Sequence, residues 1–206
     1  MFLDALGTLV ELEPPWVHLR EALGDEIPEE RIVAAVRAEM AYYRDHSHEG
    51  RDPDSLASLR ARSAAVLSGE LGREVGVETL MGAIDFGAFP DAVPALTGLR
   101  ERGLRLVCVS NWDCALPEVL ERCGLAHLVD GTVTSALAGA RKPDPAIFAP
   151  ALELARCEPA EALHVGDTPE EDLDAARAAG IRALLLDREG GGDIASLLEI
   201  DDHLNT

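Results

Sequence analysis

Apolar and polar positions recur along this chain in two rhythms, and the rhythms divide it. A short apolar run, Met1-Phe2-Leu3, stops at Asp4, and Gly7-Thr8 follows in turn chemistry. An apolar run closed by turn residues predicts a buried strand feeding a loop. Residues 11–15 contain two prolines, which end any regular element. Over residues 16–77 the spacing is helical. Trp16, Leu19 and Leu23 share one face, and Ile32, Val33, Val36 and Met40 recur at the helix period. Pro28-Glu29-Glu30 suits a first helical turn, where negative charge is favoured. Residues 54–71 predict another helix, with Leu56, Leu59, Ser63 and Val66 on one side. No strand signal interrupts this stretch, which reads as a mostly helical insert.

From Phe89 the rhythm changes to strands alternating with helices. A helix over residues 90–102 is stopped by Gly103, and an apolar strand over 104–109 is closed by Ser110-Asn111. A helix over 115–123 with Gly124 as its stop precedes a short strand at 132–135. The turn-rich Arg141-Lys142-Pro143-Asp144-Pro145 leads into a helix over 146–156. A strand over 162–165 ends at Gly166-Asp167. Thr168 is then expected to cap a helix over 169–179, with Pro169 first and Glu170 and Glu171 in its first turn. Gly180 stops that helix, a strand over 181–186 follows, and a triple-glycine link leads to a last short helix. Alternation of this kind predicts βαβ units, hence an α/β fold with a parallel sheet.

The 206 residues suffice for one core plus a modest insert. Aromatics make up only 4%, so the core must be built from Ala, Leu and Val. Against 18 Lys and Arg stand 38 Asp and Glu, a net charge of -20. Such a field repels nucleic acid and anionic membranes, so neither is expected as a partner. An anionic substrate would need a local positive device. Cys108, Cys114, Cys123 and Cys157 form no C-x-x-C pair and no zinc spacing, and they read as reduced thiols. With no signal-peptide pattern and no span-length apolar run, a cytoplasmic protein is expected. No heptad or apolar stripe predicts an oligomeric state.

In a parallel sheet, the ends of the first, second and fourth strands lie on one edge, where such sheets bind ligands. That edge would collect Asp4, Ser110 with Asn111, and Asp167, and the loop after the third strand would add Lys142. The carboxylates can hold a hard divalent cation such as Mg²⁺, and the cation and Lys142 supply the positive charge the protein otherwise lacks. Asp4 could attack phosphorus, with Ser110 and backbone N–H groups holding the phosphoryl oxygens. A second polar cluster, Tyr43, His46, His48 and Arg51, lies in the helical insert. It reads either as a solvated helix end or as a substrate-recognition loop, and the two histidines are too close in sequence to share a helical face for metal.

Four pieces in order carry a resemblance to the haloacid dehalogenase-like hydrolase superfamily. They are Asp4-Ala5-Leu6-Gly7-Thr8-Leu9, Val109-Ser110-Asn111, Lys142-Pro143-Asp144, and Gly166-Asp167 followed by Asp172. The resemblance implies a doubly wound, Rossmann-like core over residues 1–13 and 88–206, and an inserted all-α cap over 14–87. It implies Asp4 as nucleophile, Ser110 and Lys142 as its catalytic partners, and Mg²⁺ held by Asp4, the Leu6 backbone carbonyl, Asp167 and Asp172. Glu171 is an alternative to Asp172 as the supporting acid. Gly7, Thr8 and Asn111 would bind the phosphoryl group of a small phosphorylated metabolite, and Tyr43, His46, His48 and Arg51 the rest of it.

The departure is Leu6, where most family phosphatases carry a second aspartate that protonates the leaving alcohol and activates water. General acid–base help of that kind is worth about 10²–10⁴ in rate. The resemblance therefore implies a Mg²⁺-dependent phosphatase working through an aspartyl-phosphate, slow or narrow in substrate. Two alternatives stand beside it: a non-catalytic member binding a phosphometabolite or protein, and a 2-haloacid dehalogenase, whose last motif is poor in metal ligands, unlike this one. The insert over residues 16–77 has no lysine, which argues against phosphonoacetaldehyde hydrolysis.

Overall fold

The computed structural model describes residues 1–24 and 26–204. Five parallel strands form the central sheet in the order β5-β4-β1-β6-β7. They are β1 (Phe2–Leu3), β4 (Val107–Ser110), β5 (Gly131–Thr134), β6 (Leu163–Gly166) and β7 (Arg182–Leu185). The chain starts in the middle, builds outward through β4 and β5, then crosses to the other side for β6 and β7. The strand order therefore reverses beside β1, and the crevice of a doubly wound sheet opens there.

Pleating sends neighbouring side chains to opposite faces, and β1 anchors both layers with its two residues. Leu3 joins Leu96, Leu99, Leu116 and Leu120 on one face, while Phe2 joins Val109, Ile147, Phe148 and Ala176 on the other. The helices responsible are α5 (Ala92–Glu101) and α6 (Leu116–Arg122) on the first face, and α8 (Phe148–Ala155) and α9 (Ala175–Ala178) on the second. Two buried aromatics, Phe2 and Phe148, stack with ring centroids 6.2 Å apart. Otherwise aliphatic side chains dominate both layers.

The helical stretch comprises α1 (Pro15–Leu23), α2 (Glu29–His46), α3 (Pro53–Leu71) and α4 (Val77–Ala83). It has an apolar cluster of its own, including Leu19, Ile32, Val36, Leu67 and Leu80. Asp52 starts α3 with a capping box, its carboxylate accepting from the Ser55 N–H at 2.8 Å. The chain enters and leaves these helices through an antiparallel ribbon of β2 (Val10–Leu12) and β3 (Phe86–Ala88). Neither ribbon strand nor α4 was foreseeable from periodicity, because three residues are too few to establish an alternation and α4 runs only seven residues. A short helix, α7 (Ser135–Ala138), likewise went unanticipated.

One expected element changes character. The predicted α-helix over 169–179 is a π-helical turn, Pro169–Asp174, followed by α9. Thr168 sits at its start but its hydroxyl caps no helical N–H; instead Thr168's own N–H donates to Asp172 Oδ2 at 3.0 Å. Such widened turns are frequent at functional sites, and this one aims Asp172 back toward the strand ends.

Candidate active site

The sheet's switch point gathers the polar strand ends. Asp4 follows β1, and its N–H donates to the Val165 carbonyl at 2.9 Å, tying it to β6. Lys142 arrives from the loop after β5 and α7, and its Nζ donates to Asp4 Oδ1 at 2.6 Å and to Asp172 Oδ1 at 2.5 Å. All three side chains are almost wholly buried. Two carboxylates thus share one ammonium in a medium where unpaired charge is costly. Burial disfavours the charge on Lys142, but Asp4 and Asp172 outweigh it and hold the lysine above its ordinary value. Asp172 is held low despite burial, by Lys142 and then by His164. Asp4 is raised, because burial outweighs what Lys142 and the Ser110 hydroxyl restore.

Asp172 is the most committed acid of the set. His164 Nε2 lies 2.9 Å from its Oδ1; a carboxylate can only accept, so that nitrogen carries the proton. Burial holds His164 below its ordinary value, so the ring is neutral. Gly166 leaves room for this arrangement, since a Cβ there would lie 2.1 Å from Asp172 Cγ. With both oxygens taken, Asp172 positions Lys142. Glu171 does not compete for that role: it is half-exposed and accepts from Asn111 Nδ2 at 3.0 Å.

Asn111 clamps the lysine's backbone, with Oδ1 accepting from the Lys142 N–H at 2.8 Å and Nδ2 donating to the Lys142 carbonyl at 2.9 Å. The amide expected to bind a phosphoryl oxygen is therefore spent on holding Lys142. Gly7, with φ at +85°, passes so near Asp167 that a Cβ would lie 2.1 Å from its Oδ2. Gly7 and Thr8 do not line the cavity described below, and Thr8 is fully buried.

Oxygens of Asp4, Asp167 and Asp172 all lie within 4.8 Å of one another. Asp167 has no ion-pair partner among the described residues, and the Thr168 hydroxyl donates to its Oδ1 at 3.4 Å. Burial, then Asp4 and Asp172, push its carboxyl up to about 6. Three carboxylates against one ammonium leave an excess of negative charge beside Asp167, and an all-oxygen donor set suits a hard cation such as Mg²⁺. The residues present fit that ion.

The strand ends open into a cavity of about 500 Å³ between the sheet edge and the helical stretch. Leu6 stands in its wall, 37% exposed. Tyr43 also lines it, donating from its hydroxyl to Asp113 Oδ2 at 2.7 Å, while Asp113 Oδ1 accepts from the Ala115 N–H at 2.7 Å. His46, His48 and Arg51 do not line it. His46 folds back on its own helix, stacking on Tyr42 at 4.1 Å and donating from Nδ1 to the Tyr42 carbonyl at 2.7 Å. The Arg51 guanidinium donates to the His48 carbonyl, at 3.5 Å. Sequence reasoning missed His164, Asp113, Arg60, Glu39 and Ser63. Of these only His164, two residues before the Gly166-Asp167 strand end, carried a usable signal.

A family model described as haloacid dehalogenase-like hydrolase matches residues 1–180. A haloacid dehalogenase-like hydrolase domain-containing protein 3 from Bos taurus is 46% identical over 95 residues, 46% of this chain and 38% of that protein. A phosphoserine phosphatase from Thermus thermophilus is 41% identical over 101 residues, 48% of this chain and 41% of that one. These matches span less than half the length of either curated relative. Among solved structures, a HAD phosphatase from Thermococcus onnurineus superposes with a TM-score of 0.68 at 24% identity, covering 98% of this chain and 96% of that one. L-2-haloacid dehalogenases share the fold equally well, with TM-scores up to 0.75.

Proposed function

Because the chain belongs to the haloacid dehalogenase-like hydrolase family, we propose that it is a Mg²⁺-dependent phosphatase acting on a small phosphate ester, with Asp4 as nucleophile. The observation that carries this reading is the Lys142 ammonium bonded to Asp4 at the switch point, with Asp167 left unpaired beside them. The phosphatase named among the relatives supports it. In the proposed reaction an Asp4 carboxylate oxygen forms a bond to phosphorus. The bond from phosphorus to the ester oxygen breaks, and the leaving group departs with that electron pair. Water then attacks phosphorus, releasing phosphate and restoring Asp4. Ser110 and Lys142 hold the phosphoryl oxygens, while Asp172, His164 and Asn111 hold Lys142 in place. Asp4, Asp167 and the Leu6 carbonyl would bind Mg²⁺, which supplies positive charge beside the phosphoryl group. The core would comprise residues 1–13 and 88–206, with residues 14–87 as a cap bearing the specificity determinants.

Leucine cannot protonate a leaving group, so esters of acidic alcohols are the expected substrates. The test is hydrolysis of an aryl and an alkyl phosphate, with Mg²⁺ and with chelator, by wild type, Asp4→Asn and Leu6→Asp. Wild type should cleave the aryl ester only with Mg²⁺, and Asp4→Asn should abolish cleavage. Leu6→Asp should accelerate the alkyl ester more than the aryl one, by up to about 10²-fold, the lower end of general-acid catalysis. Halide release from a 2-haloacid without metal would favour dehalogenation instead. Intact Mg²⁺ binding without turnover of any phosphate or haloacid would leave a non-catalytic binding protein.

A further inference from the structure

The end of the cavity formed by α2 and α3 contains polar groups that the proposed chemistry does not use. Glu39 on α2 and Ser63 on α3 both line the cavity, and only 5% and 3% of their respective surfaces are exposed. The two helices pack along each other. Glu39 has no ion-pair partner among the described residues. The Ser63 hydroxyl makes no hydrogen bond of ordinary geometry there, although it lies near enough to ease the charge on Glu39. A buried carboxylate without a cation, eased only by a neighbouring hydroxyl, is costly for a fold to retain. Both residues line the same space, where a ligand cation can meet the Glu39 carboxylate.

We propose that Glu39 and Ser63 form an ammonium-recognition subsite, so that the substrate is a phosphate ester whose leaving group carries a primary amine. This deepens the phosphatase reading and rests on it. The cavity wall also includes Leu12, Met40, Leu80, Met81 and Ile84, which suits a hydrocarbon linker between phosphate and amine. Burial raises Glu39, with Ser63 the only neighbour that offsets it. The cavity's arginines, Arg44 and Arg60, are not among the groups that compensate this acid, so a ligand cation would be its first counter-charge. Glu39 contributes the opposite charge, and Ser63 accepts one of the ammonium hydrogens.

The test is calorimetric binding, with Mg²⁺ present, of ω-aminoalkylphosphonates of increasing chain length against matching alkyl- and ω-hydroxyalkylphosphonates. At one chain length the amine should bind at least about tenfold more tightly than its alkyl counterpart, as expected for a hydrogen bond to a charged group. Glu39→Gln should bring that ratio close to one, and Ser63→Ala should reduce it. Thermal melts establish that both variants are folded. The proposal is overturned if no length prefers the amine, if the hydroxyl series matches it, or if the preference survives Glu39→Gln. Failure of every phosphonate to bind counts against the phosphatase reading alone. Simple alkylamines run against alcohols of the same length then decide the subsite, and equal binding of the two rejects it.

Discussion

The two ends of the cavity treat buried charge in opposite ways. At the sheet edge the buried charges are paired: Asp172 takes Lys142, His164 and the Thr168 N–H, and Asn111 holds the lysine's backbone from both sides. At the helical end Glu39 is buried with no ion-pair partner among the described residues, and only the Ser63 hydroxyl eases its charge. A saturated network in a low-dielectric setting is rigid, whereas a partly satisfied one is costly. The first arrangement keeps Asp4 and Lys142 in fixed positions before a ligand arrives. The second keeps binding energy in reserve for the ligand. Between them, Tyr43 and Asp113 join helix α2 to the loop after β4.

The contrast can be broken most forcefully at Lys142. Lys142→Met strips the one ammonium from two buried carboxylates, and urea unfolding should report a loss of about 3–5 kcal/mol, the cost of breaking a buried pair. A loss well under 1 kcal/mol would mean that the network is not what holds this end together. Adding Mg²⁺ at about 100 times its Kd should stabilise the wild type by about 2.7 kcal/mol, read as a rise in Tm that Asp167→Asn abolishes. Tyr43→Phe leaves Asp113 without its phenolic donor and should cost about 1–3 kcal/mol in the same unfolding assay.

The smallest effect sharpens the comparison through pH. Asp172 is held low, so the unfolded chain binds more protons there; its contribution is present above the ordinary aspartate value and lost as pH falls below it. Glu39 is raised, so the folded chain binds more protons; stability is lost as pH rises from the ordinary glutamate value through the raised one. Glu39→Gln should therefore raise Tm at pH 8 relative to wild type and leave it nearly unchanged at pH 4, within about 1 kcal/mol. Equal shifts at both pH values would show that Glu39 does not titrate there as an isolated buried acid.

The sheet-edge end was largely legible in the sequence because strand ends announce themselves. Asp4, Ser110, Lys142 and Asp167 each follow an apolar run or sit in a proline-marked turn, and a parallel sheet brings such ends together. The parallel alternation, the helical insert and most of its helices were visible for the same reason. The helical end was not. Glu39 and Ser63 look like ordinary polar positions on amphipathic helices, and only the packing of α2 on α3 turns them inward. Tyr43 was found, but His46, His48 and Arg51 were not part of the cavity, because α2 ends at His46 and the chain turns into a short 3₁₀ segment, Ser47–Glu49. The Asp172 geometry depends on a π-helical turn, and nothing in the α-period pattern distinguishes that from an ordinary first turn.

The bond between Lys142 and Asp4 joins positions 138 residues apart. Contacts of such long range are slow to gain because the intervening chain must first be ordered. During synthesis, Asp4 waits exposed until Lys142, and then Asp172, have been made and the sheet has closed around β1. The proposed site is thus a report on folding as a whole: a nascent chain or a fragment ending before residue 142 has Asp4 but neither Lys142 nor Asp172. The proposed hydrolytic chemistry is withheld until the fold is complete.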